Sequence, residues 1–462
     1  MKRIMKKVGL CLFTLVVLLG TVPFTNIKAI DDDSIATISS ISDLGKITQD
    51  ALKYNISNQT TAQDIIDIVN EALKDSGFWV ESVNLYEKDD ATENERGYIL
   101  YIIDYNQFES LSTAIMIPRL PKEGEIVINK DTFPDKDFRE YVENNFDNDY
   151  NDGVLSLQEI SKVKTIDVSN NSNIKDIQGI EYFTALEFLN CTKTGITKLN
   201  VSNNTYLKKL YCEQTKIQSL DVSSNLELET LYCQYTEISD LNVTKNSKLS
   251  WLYCHYTKIQ SLDVTKNPAL ELLGCEGTEI QSLDISKNSV LEYLTCNFTK
   301  IQSLDVSNNP DLKYLACDYT KIQNLDVSKN NLLTELRCEN TPLAYLNIGI
   351  NDKLTKINKT DSNINLDLVG DTFDIKDIFK GIDLQKITVV SGGEINKETG
   401  IVSEYGESTP LIYSYDCGTS ANGQAETLMV SLNIQKLIEI NEINFPDDTF
   451  REYVKEFDRD HN

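Results

Sequence analysis

Cysteines stand at positions 191, 212, 233, 254, 275, 296, 317 and 338, and every gap between them is 21 residues. A fixed period in this range is the signature of a repeat array, in which each unit stacks on its neighbours into a solenoid. Full units begin at Ile196, Ile217, Ile238, Ile259, Ile280, Ile301 and Ile322, and a degrading unit begins at Leu343. Each unit has two similar halves. Ile217, Leu220, Val222 and Asn225 read I-x-x-L-x-V-x-x-N, and Leu228, Leu231, Cys233 and Thr236 read L-x-x-L-x-C-x-x-T. The last two apolar residues of each half are two apart, which is strand spacing, and neither half supplies the i, i+3, i+4, i+7 pattern of an amphipathic helix. The spacing predicts short parallel strands on both long sides of each coil, with few or no helices. The Leu, Val and Cys columns point inward. The Asn column, from Asn225 to Asn330, sits at a corner and bonds the turn backbone.

The doubled pattern is that of leucine-rich repeats. With its alternating L-D-V-S-x-N and L-x-C-x-x-T halves, the stretch from Thr165 to Lys359 resembles the internalin-like leucine-rich-repeat surface proteins of Gram-positive, clostridial-type bacteria. The resemblance implies a mainly β solenoid over residues 162–360, and a secreted or surface adhesin that binds a host or cell-surface protein or glycan. A structural spacer of the cell envelope, with no ligand on the repeats, is the alternative reading.

The rest of the chain is organised around that array. Lys2, Arg3, Lys6 and Lys7 precede an apolar run from Val8 to Gly20, and small and polar residues follow up to Ala29. Residues 1–29 read as a secretory signal peptide, too short to span a membrane. Residues 31–121 read as a small α+β module, with a helix starting near Thr60 and strands at Phe78–Tyr86, Gly97–Tyr105 and Ser112–Ile117. Residues 128–161 read as an EF-hand-like N-terminal cap with a helix from Asp135 to Asn145. Residues 364–438, rich in β-formers cut by Gly and Pro, read as an Ig-like β-sandwich covering the last coil. Residues 440–462 repeat the start of the cap and stop inside its acidic loop, as in a truncated copy.

A formal charge of −27, from 44 Lys+Arg against 71 Asp+Glu, excludes nucleic acid and anionic lipid as natural partners. It suits an extracellular protein, a calcium binder or a partner of basic surfaces. In the acidic loop, Asp147, Asp149, Asn151, Asp152, Gly153 and Glu159 resemble the EF-hand pattern, with one residue too many before the glycine. The readings open at this point are a Ca²⁺ site and a solvated polar cap. Ten cysteines in a secreted chain suggest disulfides. In an in-register ladder, though, the inward cysteines lie side by side, which favours buried reduced thiols over bridges or a metal–thiolate column.

The candidate ligand surface is the outer face of the L-x-C side, with Tyr211, Tyr232, Tyr235, Trp251, Tyr253, Tyr256, Tyr293, Phe298, Tyr314 and Tyr319. Tyr and Trp anchor interaction sites, although Tyr also simply suits strands. Asp221, Asp263, Asp284, Asp305 and Asp326 form a column on the other side, compensated by lysines or by a cation. Cys254 and His255 are neighbours on opposite faces of a strand and cannot form a dyad, and no hydrolase, zinc-protease or phosphate-loop motif is present. The chain reads as a non-enzymatic binding protein.

Overall fold

The computed structural model describes residues 124–148, 153–406, 409–437, 444 and 446–455, together with 27–31, 34–38, 62–72, 78–87, 96–104 and 109–115, for most of which only the backbone is considered. Residues 1–26, most of the expected signal peptide, lie outside the described residues, as do Asp149, Asn151, Asp152 and the acidic end of the chain after Lys455.

One unit runs to Leu186. It contains the helix Ala62–Ala72 and an antiparallel three-stranded sheet of Phe78–Glu87, Arg96–Asp104 and Glu109–Ile115. Ile27–Asp31 pairs with Ser34–Ile38, so the segment around Ala29 is extended. Further on, Asp135 caps the helix Lys136–Phe146 by accepting from the Phe138 amide at 3.0 Å. A side-chain cap of this kind satisfies one of the orphan donors of a helix start. Phe138 and Val142 form its buried face, and Phe133 packs edge-on against Phe138 and Tyr182 at 6.0 Å. The short helix Leu157–Lys162 begins with a reciprocal capping box between Ser156 and Glu159.

The second unit begins at Glu187 and holds the repeats. Their strands, from Phe188–Asn190 through Trp251–Tyr253 to Lys356–Lys359, pair in parallel and in register, each residue facing the one 21 positions on. The Ile, Leu, Val, Leu, Leu and Cys of every turn are buried, as in Ile259, Leu262, Val264, Leu270, Leu273 and Cys275. Each such aliphatic side chain contributes about 1.5–3 kcal/mol of burial, realised only when the next turn covers it. No helix interrupts the array between Glu187 and Lys359.

The expectation of strands on both long sides is corrected. On the I-x-x-L-x-V side only Asn324–Asp326 and Tyr345–Asn347 pair as strands. In these turns the amide two residues after the Asp closes a local bond: Ser223 N–H donates to Asp221 Oδ1 at 2.9 Å, Thr265, Ser286 and Ser307 do the same to Asp263, Asp284 and Asp305, and so does Ser328 to Asp326 in the turn that pairs. The pairing amide is that of Val327, which donates to the Asn347 carbonyl at 2.8 Å.

The cross-turn tie on that side comes instead from the Asn column. Asn225 Nδ2 donates to the carbonyls of Val201 and Asn204 in the preceding turn, at 3.0 and 2.9 Å, and Asn246, Asn267, Asn288, Asn309 and Asn330 repeat the pair. Thr Oγ1 closes the other corner onto the Cys carbonyl three residues back, as Thr257 does onto Cys254 at 2.7 Å.

At the far end the chain passes into two further sheets. Leu411–Thr419 and Ala425–Leu437 pair antiparallel, Ser362–Val369 lies parallel to Ala425–Leu437, and Ile387–Ser391 joins Leu411–Thr419. Phe373–Asp374, Ile401–Ser403 and Glu394–Ile395 form the smaller sheet. The region placed at 364–438 is continuous with the coil. Gly349–Ile350 pairs with Gly418–Thr419, Ile348 N–H donates to the Cys417 carbonyl at 2.8 Å, and Tyr413 Oη donates to the Ala344 carbonyl at 2.8 Å. The strand Leu411–Thr419 thereby covers the last turn's open edge. Asp448–Lys455 is helical.

Replacing Asn267 with Ala removes two buried hydrogen bonds that cross from one turn to the next, while the Val243 and Asn246 carbonyls keep the amides of Asn246 and Leu249. The expected loss is about 1–3 kcal/mol, read as a lower urea midpoint, because each intramolecular hydrogen bond contributes about 0.5–1.5 kcal/mol.

Candidate functional site

Each three-residue strand aims its central Leu inward and its outer two side chains at solvent, so the array writes two outward columns on the sheet. In the first, Trp251 and Tyr293 are exposed and Tyr314 is half-buried; in the second, Tyr211, Tyr232 and Tyr253 are half-buried. The rings pack on one another along the column. Tyr211 stacks on Tyr232 at 4.5 Å and 8°, and Tyr232 meets Tyr253 edge-on at 4.9 Å.

The third aromatic column lies off the sheet. Gln214, Tyr235, Tyr256, Phe298, Tyr319 and Asn340 all carry positive φ, between 52° and 57°, and Gly277 occupies the same place at 65°. The alternation rule predicts a sheet-face position, but after Cys the backbone turns through the left-handed region to make the corner. Tyr235, Tyr256, Phe298 and Tyr319 are 42–51% exposed. Tyr235 stacks on Tyr256 at 5.0 Å, and Phe298 on Tyr319 at 4.6 Å.

The fifth rung divides the aromatic surface. A Cβ on Gly274 would meet Tyr253 Cδ1 at 2.7 Å, and one on Gly277 would meet Tyr256 Cδ1 at 2.6 Å. The rings of the fourth turn lean over these glycines. The structure therefore gathers Tyr211, Tyr232, Tyr235, Trp251, Tyr253 and Tyr256 on one side of the glycine rung, and Tyr293, Phe298, Tyr314 and Tyr319 on the other.

Between the second and third aromatic columns runs a polar column that the sequence reading passed over: Glu213, Gln234, His255, Glu276, Asn297 and Asp318. Its signal was present, since the residue after every ladder Cys is polar. His255 touches Tyr253, Tyr235 and Tyr256 edge-on at 5.4–6.0 Å, and burial holds its imidazole below the ordinary histidine range, hence neutral. Tyr256 Oη donates to Glu276 Oε1 at 2.7 Å, and that bond pushes the Tyr256 phenol up to about 12. Asp318, buried, pairs with Arg337 Nε at 2.9 Å.

On the opposite leg Lys266, Lys287 and Lys329 lie near enough for Asp263, Asp284 and Asp305 to feel their charge. Bonds to the Ser or Thr two residues on hold Asp221, Asp263, Asp284 and Asp305 below the usual carboxylate range. Other lysines pair with glutamates one turn back, as Lys248 does with Glu227 at 2.5 Å and Lys258 with Glu237.

In the acidic loop, Asp147 and Glu159 are buried at its two ends. Asp147 Oδ2 accepts from Gly153 N–H at 2.7 Å, across the longer-than-standard spacing, and Gly153 takes φ +76°. Glu159 Oε1 accepts from Asn148 N–H at 2.7 Å, and Oε2 from Ser156 N–H at 2.8 Å. Among the described residues, no three His, Cys, Asp or Glu side chains cluster as a metal site.

The ladder thiols are unbridged and buried. Cys191, Cys212, Cys233 and Cys317 donate to the carbonyl one turn on, at 3.3–3.5 Å. Cys254 is buried while His255 lies among the outer rings.

No family model matches the chain. Over 97 residues it is 35% identical to internalin J of Listeria monocytogenes, a stretch covering 21% of this chain and 10% of that protein. The array is an internalin-like leucine-rich-repeat solenoid. Among solved structures, the functional domain of InlJ from Listeria monocytogenes, which includes a cysteine ladder, is similar at 21% identity. That match covers 67% of this chain and 99% of that one, with a TM-score of 0.30. Internalin C2 of the same species is similar at 21% identity over 46% of this chain and 95% of its own, with a TM-score of 0.42. The chain thus spans a tenth of the curated relative it matches. Among the described residues, no helix of this internalin-like chain is long and apolar enough to cross a membrane.

Burial pushes the thiols of Cys233, Cys275 and Cys338 from about 9 up to about 12. Between those values the folded chain holds protons that the unfolded chain has released. Stability is therefore full below about pH 9 and falls as pH rises toward 12. Unfolding midpoints should decline over that window, less steeply in Cys275→Ala. Iodoacetamide at pH 8 should leave the ladder thiols of the native chain unlabelled and modify them after urea.

Proposed function

We propose that this chain is a secreted or cell-surface adhesin whose aromatic surface, on the strand side of the repeats, engages a host or cell-surface protein. The observation that carries the reading is the third column. A non-glycine residue in the left-handed region costs roughly 1–2 kcal/mol, and bulky residues are the rarest there. The array uses Gly277 and Asn340 at this place, so cheaper residues are compatible with the corner. Tyr235, Tyr256, Phe298 and Tyr319 nevertheless stand there with their rings exposed. Core packing does not require them, and exposed aromatic patches, here one on each side of the glycine rung, mark an interaction surface. Stacking of Tyr211 on Tyr232, Tyr235 on Tyr256 and Phe298 on Tyr319 uses one face of each ring and leaves the surface pre-ordered for a ligand. The reading involves no catalysis: the buried thiols are held protonated, and the one histidine of the surface is packed among rings.

The loop from Asp147 to Glu159 is the second element of the proposal, as a Ca²⁺ site that stiffens the N-terminal cap. Asp147 and Glu159 would supply buried carboxylate oxygens from its two ends, with Asp149, Asn151 and Asp152 between them. Calcium takes carboxylate oxygens of this kind from both ends of a loop.

Substitutions borrowed from the same columns test the surface without disturbing the coil. Trp251→Thr, Tyr253→Thr and Tyr256→Asn use residues found at Thr230, Thr295 and Asn340. The triple variant should keep its fold by circular dichroism and lose about tenfold or more in adhesion to target cells. Unchanged adhesion would instead favour a spacer role. For the loop, millimolar Ca²⁺ should raise the melting temperature of the chain by several degrees, and Glu159→Gln should abolish that rise. A melting temperature indifferent to Ca²⁺ and to chelator would make the loop a polar cap.

A further inference from the structure

From Thr230 to Phe298 none of the outward positions of the aromatic surface holds Lys or Arg; Lys209 stands exposed one rung earlier, beside Tyr211 and Glu213. Glu276 stands in the glycine rung, between Gly274 and Gly277, with Tyr256 Oη donating to one carboxylate oxygen at 2.7 Å and Asn297 Nδ2 to the other at 3.5 Å. At the rim, Trp251 Nε1 donates to Glu271 Oε2 at 3.3 Å. Three turns before Glu276 in the same column, Glu213 has an oxygen, Oε2, that is shut off from solvent and has no hydrogen-bond donor. Tyr211 and Tyr232 lie near enough to feel its charge. A buried acceptor without a donor calls for a partner. Elsewhere on the coil Glu227, Glu237, Glu279 and Glu292 each pair with a lysine one turn on. Among the described residues, Glu213, Glu271 and Glu276 take part in no ion pair. Ring faces add negative potential to the same surface.

We propose that the aromatic surface takes a basic protein segment, whose arginines stack on the Tyr and Trp rings and pair with Glu213, Glu271 and Glu276. This deepens the proposed function and rests on it. Arginine is the fitting cation because its planar guanidinium stacks on an aromatic face and forks to a carboxylate at once. The spacing fits an extended strand laid along the coil axis. Glu213 and Glu276 are three rungs apart, about 14 Å at ~4.8 Å per rung, and arginines at i and i+4 of an extended chain are separated by about the same distance.

The test uses the intact chain and 12-residue peptides with arginines at i and i+4 in a Gly/Ser background, and titrates affinity by calorimetry. A second peptide replaces both arginines with citrulline, which keeps the shape and removes the charge. Glu213→Gln with Glu276→Gln borrows the residue at Gln234 of the same column, and Tyr253→Thr with Tyr256→Asn borrows as above. The charge control is Asp263→Asn with Asp284→Asn on the far leg, where Asn200 and Asn242 already make the same turn bond. Each of the first two variants should bind the arginine peptide about tenfold more weakly, the control should match the parent, and the citrulline peptide should not bind. Equal weakening in the control would reduce the effect to attraction by an acidic chain. Equal binding of citrulline would remove the charge argument. No arginine-peptide binding, with adhesion still lost in the aromatic variant, would overturn the basic partner and leave the ligand surface standing. Adhesion and peptide binding both indifferent to the aromatic variant would overturn the surface itself.

Discussion

A coil of this kind has no element that can fold alone, so everything depends on what ties one turn to the next. On the strand side the tie is the parallel ladder, residue facing residue across a 21-residue step. Beyond it the tie is the side-chain amide of each column Asn, together with one backbone bond per turn such as Lys258 N–H to the Ile238 carbonyl at 2.8 Å. The Nδ2 group of each column Asn spends both protons on two carbonyls of the turn before it, at 2.8–3.1 Å. The amide's own oxygen is left buried without a donor in Asn225, Asn246, Asn267, Asn288, Asn309 and Asn330. The two N–H bonds offset that orphan: each carbonyl, already bonded to an amide of its own turn, takes the Asn as a second donor across the turn boundary. The register of the inward Leu, Val and Cys columns, and of everything on the surface, follows from it.

That register explains why a thiol serves as a structural residue here. The position inside the Cys column is dry and narrow, and a small, weakly polar side chain can both pack and point its S–H at the next turn's carbonyl. Burial makes such thiols poor nucleophiles. The same repetition lets the surface be written column by column. The coil accepts Gly, Thr, Arg or Tyr between the inward Leu and Cys without altering its core, so the outer columns are free to carry a ligand-binding pattern. Aromatic rings at the left-handed corner are the place where that freedom is used against local conformational preference. The neighbouring carboxylates give the surface its sign.

Much of the solenoid was legible because its determinants are periodic. The 21-residue cysteine spacing, the inward columns, the lack of helices and the buried free thiols all follow from which residue types recur. The second strand row did not follow. The L-D-V spacing is the same in turns that pair and turns that do not, so the residue types alone do not say where the ladder closes. The aromatic residues were legible as a group, but not the placing of Tyr235, Tyr256, Phe298 and Tyr319 at a corner. Period-two alternation assumes a strand, and here the strand ends at Cys.

By itself the sequence determined the repeat, its inward and outward sets, and the candidate aromatic and acidic residues, because those depend only on spacing and side-chain chemistry. The tertiary structure alone decided which rings stack, that Gly274 and Gly277 split them, and that Glu213 and Glu276 share their surface. It also decided that Leu411–Thr419 lies against the last turn as though it were another rung. These are relations between residues 20 or more apart in the chain, and they exist only once one turn has been laid on another.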